Sequence, residues 1–241
     1  MSAPTRAMIM AAGLGTRMRP LTLTRPKPLV EVAGKAMIDH AIDRLKAAGV
    51  TQFVVNLHYL ADMLRDHLSK RKDVEILYSD ETEGLLGTGG GIVKALHYFG
   101  DEPFFVHNSD TLWIEGYGVA LERMKEIWDS NRMDGLLLMA PLIGSLGYEG
   151  RGDFLMDSVG HLARVPMGRV SPFAYPGVQI VHPRLFDNAP EGTFSVNILW
   201  DRAIEQGRLY GQRLEGMWMH VGTPQAVKDA EEKMAGFAPG A

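Results

Sequence analysis

A glycine-rich turn with nearby cations, between residues 11 and 28, offers the clearest chemistry in this sequence. It follows the apolar run 7–10, which predicts a first buried β-strand. Glycines at positions 13 and 15 allow a tight turn that brings backbone N–H groups against an oxyanion. Arg17 offers a planar fork of donors to phosphate oxygens, and Lys27 adds a point charge. The segment therefore predicts a polyphosphate site, and the alternative is an ordinary strand-to-helix turn with surface cations.

Two common phosphate-binding motifs do not fit this segment. The chain contains no G-x-x-x-x-G-K-[ST] string, and Met18 stands where a G-x-G-x-x-G fingerprint requires its third glycine. P-loop and NAD-binding assignments are therefore excluded at the motif level. The segment instead resembles the signature A-A-G-x-G-T-R-x-x-P-L-T, followed by P-K-P-L, of the sugar-1-phosphate nucleotidyltransferases, also called NDP-sugar pyrophosphorylases.

This resemblance implies roles for the residues of the turn. Arg17 would bind the β- and γ-phosphates of a nucleoside triphosphate, and Lys27 would neutralise its α-phosphate and the attacking sugar phosphate. Both are therefore expected to be catalytic. The nucleotide-binding residues implied in this segment are Ala12, Gly13, Gly15, Thr16, Arg17 and Lys27.

Position 110 offers a carboxylate shortly after another predicted strand. The run 104–107 is apolar and aromatic, and Asn108, Ser109 and Asp110 follow it. Carboxylate oxygen suits Mg²⁺, the ion that bridges phosphates in such reactions. The segment resembles the N-x-D metal motif of the same family, which implies that Asp110 is a catalytic Mg²⁺ ligand and that Asn108 contacts the nucleotide. The alternative is an aspartate that only caps a turn or a helix.

A second glycine cluster, Gly87–Ile92, precedes or opens a helix predicted over residues 91–99. Successive glycines weaken a helix unless something packs closely against its backbone. The resemblance implies a nucleobase there, bound through Thr88 and Gly89. Carboxylates in the upstream run 80–83 suit guanine, whereas backbone groups alone can bind uracil, so this segment leaves the base open. The other interpretation is a flexible helix start without a ligand.

The string Glu149-Gly150-Arg151-Gly152-Asp153-Phe154 closely resembles a G-R-G-D-F segment of the short bacterial N-acetylmuramate-1-phosphate uridylyltransferases. This subfamily works in the recycling of cell-wall peptidoglycan sugars. The resemblance implies sugar-phosphate-binding roles for Glu149 and Asp153, and also for Gly177 in the segment 175–178. The alternative for this string is a simple turn.

His220 marks a departure from the family pattern. Residues 216–224 match the string W-x-D-V-G-T-P, except that His220 stands where a second metal-binding aspartate is expected. Imidazole is a poor ligand for Mg²⁺ and a better one for Mn²⁺ or Zn²⁺. We therefore expect His220 at the metal site, as a ligand with a softer metal preference, through a water molecule, or as a cation facing pyrophosphate. The alternative is that His220 only packs.

Bulk properties narrow the class of protein. The chain has 241 residues, a formal net charge of −4 and no cysteine. The negative charge argues against general nucleic-acid binding, and no apolar run approaches the roughly 20 residues of a membrane span. Because the chain start lacks a signal-peptide core, we expect a cytoplasmic protein without a membrane partner. The sequence leaves the oligomeric state open.

Alternating elements must position these residues. Strand patterns fall at 7–10, 52–57, 74–78, 104–107 and 136–140. Helix patterns fall between them at 36–48, 60–68, 91–99 and 118–129. Such alternation predicts a mostly parallel, Rossmann-like α/β sheet with helices on both faces. Segments 11–28 and 108–112 should then share the carboxyl edge of that sheet.

Beyond residue 140 the glycine and proline content rises. Short strand patterns fall at 154–157, 161–165 and 178–182, and helix patterns at 197–205 and from 224. We expect a small β-rich sugar-binding lobe over the edge of the sheet, and the resemblance implies a GT-A-like nucleotidyltransferase fold. One domain over 1–241 is predicted, with a nucleotide-binding region (1–140), a sugar-phosphate-binding region (141–223) and a C-terminal helix (224–241).

Taken together, the motifs predict an enzyme that joins a nucleoside triphosphate to a sugar 1-phosphate and releases pyrophosphate. The resemblance favours UTP with N-acetylmuramate 1-phosphate, and GTP with mannose 1-phosphate is the alternative pair. The exchange of aspartate for His220 also leaves open a non-catalytic sensor of nucleotide sugars.

Overall fold

The structure, a computed structural model, describes residues 3–237. Its helices are α1 (Met37–Ala47), α2 (Ala61–Leu68), α3 (Gly87–Ala95), α4 (Ala120–Ile127), α5 (Asn197–Glu205) and α6 (Pro224–Ala235). Its strands are β1 (Arg6–Met10), β2 (Glu31–Val32), β3 (Lys35–Ala36), β4 (Gln52–Leu57), β5 (Glu75–Asp80), β6 (Phe104–Asn108), β7 (Thr111–Glu115), β8 (Gly135–Pro141), β9 (Phe154–Met156), β10 (Leu162–Arg164), β11 (Phe173–Ala174), β12 (Val178–Val181), β13 (Leu209–Arg213) and β14 (Gly216–His220). No helix within this range is long and apolar enough to cross a membrane. The predicted domain range also includes residues 1–2 and 238–241, which lie outside the described residues.

Each face of the main sheet has its own core, because successive side chains of a strand point to opposite faces. Ala7 and Ile9 of β1 pack in the core that α1, α2 and α4 cover, whereas Met8 packs in the core that α3 and α5 cover. The apolar spacing in α1, such as Ile38, Ala41 and Leu45, gives that helix a continuous buried face. The predicted α/β class, with helices on both faces, is confirmed.

The parallel strands bring the chemically loaded segments to one edge. Strands β5, β4, β1 and β6 are neighbours in this order and run parallel. In the pairing of β1 with β6, Met10 lies opposite Asn108. The turn after Met10 and the loop after Asn108 therefore leave the sheet side by side at its carboxyl edge, as the alternation predicts.

Strand β12 departs from the prediction for the second half of the chain. The sequence predicts a small β-rich lobe over the edge of the sheet from the short strands after residue 140, but β12 lies inside the main sheet, antiparallel to both β6 and β8. Only β9, β10 and β11 form the small antiparallel extension beyond β8. The chain returns to the sheet through that extension rather than through a crossover helix, so the sheet is mixed rather than parallel throughout.

An antiparallel ribbon of β7 and β14 was not predicted, and it joins two distant motifs. The two strands pair over their full length, and His220 lies opposite Thr111. Asp110 directly precedes Thr111 in the chain. The ribbon therefore carries His220, more than a hundred residues away in sequence, to the loop that contains Asp110.

Candidate active site

A cleft with two halves opens at the carboxyl edge of the parallel strands. The loop half has a volume of about 240 Å³ and is lined chiefly by the turn after β1, by Lys27 and by the start of α3. The aromatic half has a volume of about 410 Å³, and its walls include Phe154, Tyr175 and Trp200. Asp110 lines both halves and so stands at their junction.

The turn after β1 keeps its backbone donors available. Ala11 N–H is occupied, because it donates to Asn56 Oδ1 at 2.6 Å. The next four N–H groups, of residues 12–15, donate to no acceptor within the described stretch of the chain. Adjacent unpaired N–H groups in a tight turn attract an anion such as a phosphate. The geometry of Ala12 and Gly13 thus fits the nucleotide-binding role predicted for them.

The two glycines of this turn serve different needs. Gly15 has a φ of 63°, and a Cβ there would lie 3.0 Å from both Lys27 Cβ and Thr22 Cγ2. A glycine is therefore required at position 15, both by the backbone conformation and by the neighbouring side chains. A Cβ built at Gly13 meets nothing within 4 Å, so the space beside Gly13 is open towards the cleft. Thr16 begins the short 3-10 turn Thr16–Met18 that follows.

Two cations of this region differ in their surroundings. Lys27 Nζ forms an ion pair with Asp110 Oδ2 at 2.5 Å; the Lys27 side chain is largely buried, and that of Asp110 is partly exposed. Arg17 is exposed and forms no ion pair with any residue between 3 and 237. The guanidinium of Arg17 is therefore free to bind a ligand, whereas Lys27 is fixed at the junction of the two halves. Both cations line the cleft.

The environment of His220 favours a neutral imidazole. His220 lines the aromatic half, packs edge-on against Trp218 at 5.4 Å between ring centroids, and has no hydrogen-bond partner for its ring among the described residues. Burial lowers the pKa of His220 below its ordinary value, and the positive charges of Lys27 and Arg17 add to this effect while Asp110 opposes it. The imidazole is thus an acceptor at neutral pH, which disfavours the interpretation of His220 as a cation facing pyrophosphate.

The donor set at the junction fits a divalent cation that shares its ligands with a substrate. Residues 3–237 contain no cluster of three or more His, Asp or Glu side chains that could hold a metal alone. Mg²⁺ is commonly held by one or two carboxylates together with substrate phosphates and water. Asp110 is the carboxylate available for this role, and the ring nitrogens of His220 are softer donors on the same wall.

The sugar-side predictions lie in the aromatic half, with one exception. Asp153 lines this half, and its Oδ2 accepts a hydrogen bond from Tyr175 N–H at 2.8 Å. Gly177 has a φ of 100°, and a Cβ there would overlap the side chain of Asn108. The backbone N–H of Asn108 donates to Gly177 O at 2.8 Å. Gly177 therefore fixes Asn108 between the two halves. Glu149 is the exception, since it is exposed and lines an adjacent groove rather than the cleft.

The second glycine cluster packs against protein rather than leaving its backbone open. Helix α3 begins at Gly87, four residues before the predicted start. A Cβ at Gly89 would overlap the ring of Phe194, and a Cβ at Gly90 would overlap the carbonyl oxygen of Gly192. Gly87 and Thr88 line the loop half, whereas Gly89 is buried beneath Phe194. The sequence correctly indicates a close approach to these glycines, but segment 192–196 makes it.

Glu81 is a buried carboxylate whose oxygens are both occupied. It is 1% exposed; Oε1 accepts from Asn56 Nδ2 at 2.7 Å, and Oε2 accepts from Leu86 N–H at 3.1 Å. Since Asn56 also accepts from Ala11 N–H, Glu81 links the start of the first turn to the start of α3. Asn56 interrupts an otherwise apolar strand pattern in β4, which is the sequence signal that could have identified it.

His107 lies in β6 directly behind the loop of Asp110. It is fully buried, and its Nδ1 donates to the carbonyl oxygen of Asn108 at 2.7 Å while its Nε2 has no partner in the described structure. Desolvation lowers the pKa of His107 to about 4. His107 is therefore a neutral support of the loop.

Several residues of the aromatic half were not predicted, and two of them bear most on its chemistry. Arg164 of β10 and Gln179 of β12 both line it. A glutamine between apolar residues in the run Val178–Val181 is a recognisable signal, because a buried amide needs hydrogen-bond partners. Arg164 lies in a segment rich in arginine and glycine and carries no comparable signal.

Comparisons with known proteins agree with this geometry. A family model described as nucleotidyl transferase matches residues 6–135. An N-acetylmuramate alpha-1-phosphate uridylyltransferase of Caulobacter vibrioides is 47% identical over 97% of this chain and 98% of that protein. A protein of the same name from Neisseria meningitidis is 36% identical over 94% of this chain and 96% of its own length. A crystal structure of UDP-glucose pyrophosphorylase with UDP-glucose, 18% identical, superposes with a TM-score of 0.78 over 97% of this chain and 99% of the other, and supports the fold.

The family match covers the first turn, the Asp110 loop and the helix start that together form the loop half of the cleft. The full-length relatives extend the similarity through the aromatic half and the β7–β14 ribbon. The chain belongs to the nucleotidyl transferase family and is a sugar-1-phosphate nucleotidyltransferase.

Proposed function

We propose that this enzyme joins UTP to N-acetylmuramate 1-phosphate, with release of pyrophosphate. The choice of base rests on the residues that line the loop half of the cleft. Apart from Asp110, which is paired with Lys27, no aspartate or glutamate among the described residues lines that half. Guanine presents an N1–H and an amino group that a carboxylate would bind, whereas uracil can be bound by backbone N–H and carbonyl groups.

The carboxylates upstream of α3 support this choice, because Asp80 and Glu81 are engaged elsewhere and Glu83 is exposed and does not line the loop half. Both oxygens of Glu81 are held inside the protein by Asn56 and Leu86. Asp80 caps its own turn, since Oδ1 accepts from Thr82 N–H at 2.9 Å, and its Oδ2 pairs with Arg65 at 3.2 Å. The backbone of residues 85–88 is what remains beside the turn after β1. Such a site favours uracil over guanine.

The choice of sugar follows from the relatives and from the second half of the cleft. The two proteins that align with this chain over almost their whole length are named N-acetylmuramate alpha-1-phosphate uridylyltransferases. The aromatic half, at about 410 Å³, is the larger of the two and has apolar walls as well as polar groups. It suits a bulky, substituted amino sugar better than a small hexose.

The chemistry asks the protein mainly to position and neutralise phosphates. An oxygen of the sugar phosphate attacks the α-phosphorus of UTP, a new P–O bond forms, and the bond from the α-phosphorus to the bridging oxygen breaks to release pyrophosphate. The free N–H groups of residues 12–15 and the guanidinium of Arg17 would bind the β- and γ-phosphates. Lys27, at the junction, would offset the charge of both reacting phosphates, and Asp153 and Gly177 would orient the sugar side.

We propose Mg²⁺ as the cofactor, held by Asp110, with His220 beside it as the residue that makes Mn²⁺ acceptable. When bound, the ion would neutralise phosphate charge and polarise the α-phosphorus. The Lys27–Asp110 ion pair holds the carboxylate in place at the junction before substrate arrives.

A matrix of the four nucleoside triphosphates against several sugar 1-phosphates tests the proposal through pyrophosphate release. We expect the highest kcat/KM for UTP with N-acetylmuramate 1-phosphate. A preference for GTP with mannose 1-phosphate would overturn the choice of substrates, and no release with any pair would support a sensor instead. Asp110→Asn should abolish turnover while the melting temperature stays near that of the wild type, because the side chain is partly exposed and its volume is kept.

A further inference from the structure

The aromatic half contains a cation that the chemistry of phosphate transfer does not use. Arg17 and Arg164 line this half, and no lysine within residues 3–237 does so. Arg17 also lines the outer groove beside Glu149 and Gln225, on the side of the first turn. Arg164 belongs to another wall, on β10 beside the start of α5. A cation here faces the sugar rather than the triphosphate.

The guanidinium of Arg164 is held in place with one terminal nitrogen, Nη1, free. Its Nε donates to Asp201 Oδ1 at 2.5 Å, and its Nη2 donates to Asn197 O at 3.2 Å and to Asn197 Oδ1 at 3.0 Å. Its Cζ lies 4.6 Å above the ring centroid of Phe154. Nη1 donates to no residue in the described structure. The side chain is 37% exposed, so Nη1 can reach a ligand without first breaking a protein contact.

Gln179 adds an independent observation, a nearly buried donor that faces the same space. The residue is 1% exposed, and Trp200 Nε1 donates to its Oε1 at 3.0 Å. An indole N–H can only donate, so this bond fixes the orientation of the amide and leaves Nε2 as the free group. Nε2 has no acceptor among the described residues, and Gln179 lines the aromatic half. Nε2 is not among the buried atoms that lack a partner, so it is accessible from the aromatic half, where an oxygen of a ligand can accept its hydrogen bond.

These donors select a particular kind of sugar substituent. A preorganised guanidinium nitrogen, with its positive charge, forms a stronger hydrogen bond to a carboxylate than to a hydroxyl group. The muramic acid sugar differs from glucosamine by a lactyl ether that ends in a carboxylate. We propose that Arg164 binds this carboxylate through Nη1 and that Gln179 Nε2 donates to an oxygen of the same substituent. The inference rests on the proposed function, and it makes Arg164 the residue that distinguishes the muramate substrate from its glucosamine counterpart.

The test measures binding of the proposed product, UDP-N-acetylmuramate, and of its glucosamine counterpart, so that it does not depend on turnover. Dissociation constants for UDP-N-acetylmuramate and UDP-N-acetylglucosamine are determined by calorimetry for the wild type and for Arg164→Gln. Loss of a charged hydrogen bond should weaken UDP-N-acetylmuramate about 10- to 100-fold, with little change for UDP-N-acetylglucosamine. A parallel loss for both ligands, or no loss for either, would overturn the assignment.

Two further variants sharpen the result. Gln179→Glu keeps the acceptor for Trp200 but replaces the donor Nε2 with a carboxylate oxygen. Repulsion from the carboxylate of the muramate ligand should then weaken the binding of that ligand selectively. Arg132→Gln is the matched control, because Arg132 lies 5.5 Å above the ring of Tyr210, outside the cleft, and should change neither constant. If the wild type itself binds UDP-N-acetylmuramate no better than UDP-N-acetylglucosamine, this inference fails. If it also turns over no N-acetylmuramate 1-phosphate, the proposed function fails with it.

Discussion

His220 is the residue at which this chain leaves the pattern of its family, and the ribbon of β7 and β14 explains why the replacement matters. The ribbon fixes His220 next to Asp110, so an aspartate at position 220 would add a second carboxylate at the junction. With histidine at this position, the site would instead have one hard ligand, the carboxylate of Asp110, and one softer donor, the imidazole. The metal preference of the enzyme should depend on this difference.

We therefore expect His220→Asp to raise the ratio of kcat/KM with Mg²⁺ to kcat/KM with Mn²⁺. A second carboxylate favours the harder ion, whereas imidazole favours the softer one. Steady-state assays with each metal at saturation measure the ratio, and His97→Asp, at an exposed position outside the cleft, serves as the control. An unchanged ratio would mean that His220 only packs against Trp218 and Tyr148.

A second residue-scale prediction concerns acid stability. His107 has a folded-state pKa of about 4, below its ordinary value of about 6.5, because burial disfavours the charged ring. Between these values the unfolded chain binds a proton that the folded chain does not, so stability falls as the pH decreases from 6.5 to 4. His107 should account for about 3 kcal/mol of this loss.

Urea unfolding of the wild type and of His107→Gln, at pH 7 and at pH 4.5, measures that contribution. Whatever the stability of the variant at pH 7, its loss on acidification should be smaller by most of that amount. His97→Gln is the control, since its exposed ring should leave the acid dependence unchanged. Equal losses in wild type and His107→Gln would contradict the buried, neutral state of His107.

At the scale of elements, the two glycine segments should respond oppositely to the addition of a methyl group. A Cβ at Gly89 overlaps the ring of Phe194, so Gly89→Ala should destabilise the fold by about 1–3 kcal/mol. A Cβ at Gly13 meets no protein atom, so Gly13→Ala should leave stability nearly unchanged while it raises KM for UTP. Thermal unfolding and steady-state kinetics on both variants separate the two effects.

The double variant Gly89→Ala with Phe194→Ala provides the internal check for that pair. If the methyl group clashes with the ring, the combined loss should be smaller than the sum of the single losses. Additive losses, or a drop in UTP affinity at Gly89→Ala without any loss of stability, would restore the interpretation of Gly89 as a direct nucleobase contact.

The same elements show what the sequence could and could not predict. Apolar and β-branched runs identified β4 and the helix spacing identified α5, both with their observed bounds. Ribbon β7–β14 was not predicted, since its strands directly adjoin the Asp110 and His220 motifs and lie about a hundred residues apart in the sequence. The place of β12 was also missed, because no local pattern reports which distant strands a short apolar run will pair with.

The candidate site likewise contains features that the sequence predicted and features that it did not. Motif spacing identified Arg17, Lys27 and Asp110, and the structure brings them to one cleft. Motif spacing did not indicate that Asp110 pairs with Lys27. It also could not show that the glycines of α3 pack against segment 192–196, because a close approach to a glycine backbone has the same sequence signature whether the neighbour is a base or a phenyl ring.

At the scale of the whole molecule, β12 ties the two predicted regions of the chain together. It belongs by sequence to the sugar-phosphate-binding region, yet it pairs with β6, which belongs to the nucleotide-binding region, and with β8, which ends that region. Strand β13 adds a second such link, since it runs parallel to β8. Removing the second region would leave long apolar strand edges unpaired. We therefore predict one cooperative unit, despite a cleft with two chemically different halves.

Urea unfolding followed by two probes, with and without saturating UTP, tests that prediction. Trp200 and Trp218 report on the second region of the chain, and far-ultraviolet circular dichroism reports on all helices and strands. UTP should bind through residues of the first region, namely the turn after β1, Arg17 and Lys27, so in a single cooperative unit it stabilises the whole fold and moves both midpoints by the same amount. Separate units would give a UTP-dependent shift of the urea midpoint measured by dichroism, with no shift of the midpoint measured by the fluorescence of these two tryptophans. The variants Trp200→Phe and Trp218→Phe isolate the signals of the two tryptophans by difference. Equal shifts would mean that nucleotide binding in one half stabilises the sugar-binding half before any sugar arrives.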